Sequence, residues 1–168
     1  RLTDFGTELR PYAERIEAGL GALLTGDGDG DGALDFRPYR SVRVGVVSAD
    51  AGDDGEGLLG CTPTGRDGRF VSCGGDAWTS LGSGTDLAPG LAAVACAVRS
   101  AAETTCERAR PLDAARLALL PAASTSVPGR IPHGDVEHTG FSRGRAVLGL
   151  VVLAPRDDCS GGALADLT

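Results

Sequence analysis

Thr25-Gly-Asp-Gly-Asp-Gly-Asp-Gly-Ala-Leu-Asp35-Phe-Arg-Pro38-Tyr-Arg-Ser-Val42-Arg-Val-Gly-Val-Val-Ser48 sets an acidic, glycine-rich loop directly before a compact apolar segment. Carboxylates spaced two or four residues apart on a flexible backbone are what a hard cation such as calcium requires. A calcium loop takes side-chain oxygens from positions 1, 3, 5 and 9 and a backbone carbonyl from position 7, and turns sharply on a glycine at position 6. Those places read Asp27, Asp29, Asp31, Asp35, Ala33 and Gly32. Position 12, where an EF-hand carries a bidentate glutamate, is Pro38, so the expected site is weak or completed from elsewhere. The expected cofactor is therefore a structural Ca2+ that fixes residues 25–38 and catalyses nothing. A phosphate cradle is excluded: Gly26, Gly28, Gly30 and Gly32 follow a helix instead of a strand, and the interleaved aspartates repel a pyrophosphate.

Upstream of this loop, Leu2, Phe5, Leu9, Tyr12, Ile16, Leu20, Leu23 and Leu24 recur every three or four residues, the apolar stripe of an amphipathic helix. Thr3 or Asp4 caps its start and Gly26 ends it. Downstream, Val44, Val46 and Val47 suit a buried parallel strand over residues 42–48. Residues 49–86 are rich in Gly, Asp, Thr and Ser and predict a long loop, with a short hairpin near 69–73. Helical spacing returns over 86–102 and over 111–120, where Pro111 fits a first turn and Pro121 stops the helix. Residues 121–142 hold both histidines and predict an exposed loop. The run Ala146-Val-Leu-Gly-Leu-Val-Val-Leu-Ala154 predicts a second fully buried strand. Helix, strand, loop, helix, helix, strand in that order predicts an α/β fold with a Rossmann-like parallel central sheet flanked by helices. Ser48-Ala-Asp50 and Pro155-Arg-Asp157-Asp158 would then share the carboxyl edge of the sheet, where such folds bind ligands.

The 168 residues fit one domain with a sizeable core. A net charge of −7, and sixteen basic residues that are all arginine and scattered, argue against a nucleic-acid partner. The apolar run at 146–154 is about half of a bilayer span, so no transmembrane segment is expected. A chain with no methionine, even at its first position, reads as a processed or excised piece of something longer. Cys61, Cys73, Cys96, Cys106 and Cys159 lack the Cys-x-x-Cys spacing of zinc sites and predict disulfides. Local pairs, Cys61 with Cys73 and Cys96 with Cys106, would each contribute on the order of 3 kcal/mol, leaving Cys159 for a partner outside the chain. Disulfides would place the protein outside the cytosol; the alternative reading is five buried reduced thiols in a cytosolic protein.

Residues 24–36, the strand Val42-Arg-Val-Gly-Val-Val-Ser-Ala-Asp50-Ala-Gly52, the Cys96 to Cys106 region and Leu148-Gly-Leu-Val-Val-Leu-Ala-Pro-Arg-Asp157-Asp158-Cys159-Ser160 together resemble von Willebrand factor A-like domains. The resemblance is to copies in large secreted or lipid-anchored proteins of high-GC bacteria, especially myxobacteria. It implies a parallel sheet flanked by helices, a cell-surface, extracellular or periplasmic setting, and an adhesive or protein-recognition role. Typical members also carry a metal-ion-dependent adhesion site, built on an Asp-x-Ser-x-Ser turn at the first strand and an aspartate after a later strand. The residues from Arg1 onward offer no counterpart of that first strand, which the parent protein is expected to supply upstream unless the sheet is rearranged, and the later position reads Pro155. Proline offers no carboxylate, so the resemblance transfers no adhesion-site ligand to this chain.

Two further motifs carry chemistry. Gly140-Phe-Ser142-Arg-Gly144 matches a Gly-x-Ser-x-Gly nucleophile elbow as a string and would make the chain a secreted serine hydrolase. An elbow needs a strand before the serine, a helix after it, and a histidine further on; His133 and His138 both lie upstream, so an ordinary loop is expected and no catalytic residue is assigned. His133, Asp135, Glu137 and His138 could ligate a transition metal, but no helix fixes both imidazoles on one face, and a solvated loop is expected there too. The expected protein is a non-enzymatic, calcium-stabilised surface or secreted domain whose partner is an unidentified protein or surface ligand.

Overall fold

The computed structural model describes residues 5–53, 56–57, 60–83, 86–102, 106 and 108–153. Three helices, α1 (Phe5–Thr25), α2 (Ala88–Ala102) and α3 (Pro111–Leu119), and two strands, β1 (Ser41–Val44) and β2 (Thr79–Gly82), follow in the order α1, β1, β2, α2, α3. The chain divides into two compact units, one of residues 1–46 and 71–103, the other of 47–70 and 104–168.

In the first unit the stripe of α1 meets α2. Ala13 of α1 is buried with Val94, Ala95 and Val98 of α2, and Ile16, Leu20, Val44 and Val46 pack around them. Alanine at the centre lets the helix axes approach closely, and the branched residues fill the rim. β1 and β2 form an antiparallel pair, Ser41 opposite Gly82 and Val44 opposite Thr79. The second strand lies inside the segment predicted to be loop. Its four residues sit between Gly- and Ser-rich stretches, and its pairing with β1 is non-local, so no local pattern announces it.

α1 stops where Gly26 enters the left-handed region (φ 80°), its N–H closing on the Ala22 carbonyl at 2.8 Å. A Cβ at this position would lie 2.5 Å from the Phe36 carbonyl oxygen. Gly26→Ala is expected to cost about 2 kcal/mol or more through both the backbone conformation and that contact. Gly30→Ala is the control, because Gly30 shares the conformation (φ 81°) but has nothing within 4 Å of its would-be Cβ. Urea unfolding of the two variants separates the terms, and equal losses would remove the argument for contact.

In the second unit Ala51, Ala114, Leu117 and Val127 form a core with Val47 against it, and Val47 pairs with Phe70 in an isolated antiparallel bridge. α3 begins at Pro111 as the sequence indicates and packs onto the turn at Asp67 and Gly68, both in the left-handed region. A side chain on Gly68 would run into Leu117 and the Ala114 carbonyl, so glycine is what lets the turn touch the helix. The Arg110 guanidinium, almost fully buried, donates to Oδ2 of the fully buried Asp113 from Nε at 2.9 Å and from NH2 at 2.6 Å. Residues 121–142 form turns without helix or strand, yet His133 and His138 are 5% and 2% exposed. The exposed-loop expectation fails for both imidazoles, because each is held by partners more than fifteen residues distant.

Two sequence expectations take another form. Among the described residues the only ladder is the antiparallel pair. Residues 147–152 have no strand partner and are exposed, Val147 by 88% and Val151 by 74%. An apolar run signals a preference for burial and does not specify a pairing partner. The disulfides are Cys61–Cys106 and Cys73–Cys96, which corrects the local pairing of Cys61 with Cys73 and Cys96 with Cys106. Short loops close at the lowest entropy cost, but Cys96 is fixed inside α2 and its partner is set by what packs against the helix, not by spacing along the chain. Cys159 and Pro155 lie outside the described residues, as do Asp157 and Asp158.

Candidate metal centre

The acidic loop hangs from the end of α1. The Gly26 carbonyl accepts bonds from the Asp35 N–H at 2.8 Å and the Phe36 N–H at 3.2 Å, and the Tyr39 N–H reaches the Leu23 carbonyl at 2.9 Å. These three bonds close the base of the loop. Pro38 stands against this closure, with its Cδ 3.0 Å from where a Gly26 Cβ would be, so the residue at the twelfth place shapes the base and supplies no ligand.

Inside the loop the carboxylates fold back onto the backbone. Asp27 accepts from the Gly30 N–H (Oδ1, 2.7 Å) and from the Gly32 N–H (Oδ2, 3.0 Å). Asp29 accepts from the Asp31 N–H at 3.2 Å, Asp31 from the Ala33 N–H at 2.7 Å, and Asp35 from the Gly28 N–H at 2.8 Å. The result is that Asp27, Asp29 and Asp35 each bring one carboxylate oxygen within 4.8 Å of the others. Asp31 is outside that trio, with its carboxylate on the Ala33 amide; Ala33 is named for its backbone carbonyl and not for a side chain. Three of the four aspartates named from the sequence thus bring side-chain oxygens together. An all-oxygen, anionic donor set suits Ca2+ or Mg2+ and not a soft metal. Three carboxylate oxygens fall short of the six to eight that calcium takes, so a backbone carbonyl and water would complete the shell. Asp29 and Asp35 are exposed.

The His133 region is built differently. Its residues do not converge on a point. His138 Nδ1 lies 2.7 Å from the Ala118 carbonyl and its Nε2 accepts from the Phe70 N–H at 3.2 Å. Asp135 Oδ1 accepts from the Ala122 N–H at 2.7 Å. Both ring nitrogens of His138 are thus committed to backbone partners. Ser142 is exposed and follows a turn, and neither ring is poised as its base: His133 Nε2 lies 2.9 Å from the Asp67 carbonyl and 3.1 Å from Asp67 Oδ2.

The same region holds a feature that sequence reading does not find, an open groove of about 380 Å3. Asp67 is its organising residue. Arg130 donates to Asp67 Oδ1 from Nε (3.0 Å) and NH2 (2.7 Å), and to the Ala51 and Thr64 carbonyls at 2.6 Å each. Arg69 pairs with Glu137 on the other side. These partners lie more than sixty residues apart along the chain, and scattered single charges gave no signal of them. The network satisfies its own charges, two arginines against two carboxylates.

Comparison of the chain with known protein families, with curated proteins and with solved structures finds no match.

Proposed function

We infer that the protein is a non-enzymatic, disulfide-cross-linked domain of an exported bacterial surface or secreted protein, stabilised by calcium and serving adhesion or protein recognition. The observation that carries the calcium part of this reading is the convergence of Asp27, Asp29 and Asp35 at the end of α1. Three like charges held that close repel one another, and a divalent cation converts the repulsion into a cross-link between the helix end and the chain leading to β1. The exported setting is supported by the two intramolecular disulfides, since such bonds persist in oxidising compartments. Among the described residues no helix is long and apolar enough to cross a membrane. The resemblance to von Willebrand factor A-like domains, with their parallel sheet and adhesive role, belongs to this same proposal.

Thermal melting tests it. Millimolar calcium is expected to raise Tm by roughly 3–5 °C over the chelated protein, the shift that an ion at about ten times its Kd produces in a domain of this size. Asp29→Asn together with Asp35→Asn is expected to abolish the rise, since both changes keep the side-chain shape and remove charge from the trio. Asp31→Asn should leave most of it. Identical melting with calcium and with chelator would sink the calcium assignment.

A further inference from the structure

We propose that His138 is a pH-sensitive clasp in the second unit: with its ring neutral it joins the carboxyl-terminal end of α3 to the backbone at Phe70, and a proton added at Nε2 opens that joint. The bonding roles of its two neighbours fix where the ring carries its proton. The Ala118 carbonyl, 2.7 Å from Nδ1, can only accept a hydrogen bond. The Phe70 amide, 3.2 Å from Nε2, can only donate one. Both bonds coexist only when the ring carries one proton and carries it on Nδ1. The ring is sealed in this state: it is 2% exposed, it stacks on Phe70 at 3.8 Å and 15°, and Phe141 closes edge-on against Phe70 at 4.8 Å.

Protonation takes one proton from solvent onto the Nε2 lone pair. The new N–H then faces the Phe70 N–H, donor against donor, and the amide loses its acceptor inside a packed site. The surroundings resist this charge. Burial pushes the His138 imidazole below its usual value of 6.5; the Ala118 carbonyl opposes this, and His133 and Arg69 add to the lowering. The charged groups on the elements packed around the ring offer no carboxylate dedicated to it. Arg69, on the loop before Phe70, pairs with Glu137. His133, with its ring centroid 5.9 Å away, is bonded to Asp67. On α3, Asp113 and Arg116 lie 3.8 Å from each other.

The sign follows from linkage. A base whose folded pKa is lowered contributes its stabilisation in full above the unfolded value of about 6.5 and loses it as pH falls from there through the folded value. Acid therefore releases the Phe70–His138–Phe141 stack while the bonds from the His133 N–H to the Leu117 carbonyl (2.7 Å) and from the Gly134 N–H to the Leu120 carbonyl (2.9 Å) still hold the start of the segment to α3. What opens is the end of the segment beyond Glu137, next to the Asp67 groove.

NMR on the intact, oxidised chain tests this, and with two histidines in the sequence the ring signals are assignable by one substitution. The His138 ring is expected as the Nδ1–H tautomer at neutral pH, titrating below 6.5. The hydrogen-exchange protection of the Phe70 amide, corrected for intrinsic rates, is expected to fall severalfold between pH 7 and pH 5. In His138→Gln, an uncharged side chain with both donor and acceptor, that fall should vanish, whereas in His133→Gln it should persist. A His138 ring that titrates at or above 6.5, or Phe70 protection that stays level while the ring titrates, overturns the proposal. So does an undiminished acid effect in His138→Gln. If that variant does not fold, the titration and exchange of the unmodified chain decide alone.

Discussion

Asp113→Ala is expected to lower the unfolding free energy by about 3–5 kcal/mol, the cost of removing one partner from a buried ion pair. The carboxylate is fully buried, and the Arg110 side chain facing it is 5% exposed. Both Nε and NH2 of Arg110 converge on Oδ2, at 2.9 and 2.6 Å, and Arg116 NH1 approaches Oδ1 at 3.8 Å from the next turn. Asp113 also stands in the first turn of α3, where the exposed N–H dipoles favour negative charge. Alanine leaves the Arg110 guanidinium in a low-dielectric site without its carboxylate, which is why the loss should exceed that of an ordinary surface bridge. A double replacement, Asp113→Leu with Arg110→Met, should lose less than Asp113→Ala alone, because no charge then remains in the site. Urea unfolding at neutral pH measures all three proteins. A loss below about 1 kcal/mol for Asp113→Ala would place the pair in the class of solvent-screened surface bridges.

The helices were legible because their signals are local. Pro111 marks the start of α3, and Leu24 and Gly26 mark where α1 is buried and then turned. The place of the acidic loop at the end of α1 was legible for the same reason, but the spacing named four aspartates where three bring carboxylate oxygens together. Asp31 departs from the trio on a single hydrogen bond to the Ala33 amide, a choice among Asx turns that spacing leaves open. Pairings between distant segments were not legible. Thr79–Gly82 becomes a strand only because β1 is beside it. Val147 and Leu148 have every local property of a buried strand and are exposed. His138 illustrates the limit most clearly, since its role is set by backbone atoms of Phe70 and Ala118, and backbone atoms leave no mark in the sequence of their partner.

Reducing both disulfides is expected to remove about 7 kcal/mol, which is comparable with the whole stability of a typical domain. Cys61–Cys106 spans 45 residues and Cys73–Cys96 spans 23. In the chain-entropy model the longer loop contributes roughly 4 kcal/mol and the shorter roughly 3, so the two bonds are nearly equal despite a twofold difference in span. Each unit holds one of them: Cys73–Cys96 anchors the chain after Phe70 to the middle of α2, and Cys61–Cys106 joins the 47–70 segment to the approach to α3. Urea midpoints with and without reductant measure the sum, and the paired replacements Cys61→Ala with Cys106→Ala and Cys73→Ala with Cys96→Ala measure the parts. The first pair should lose slightly more than the second. Proteolysis without reductant must also yield a Cys61 peptide linked to a Cys106 peptide. Recovery of Cys61 linked to Cys73 would restore the local pairing and place the cross-links where they close short loops, with correspondingly smaller losses on reduction. An unchanged urea midpoint on full reduction would mean that the helices and the two cores hold the chain without covalent help.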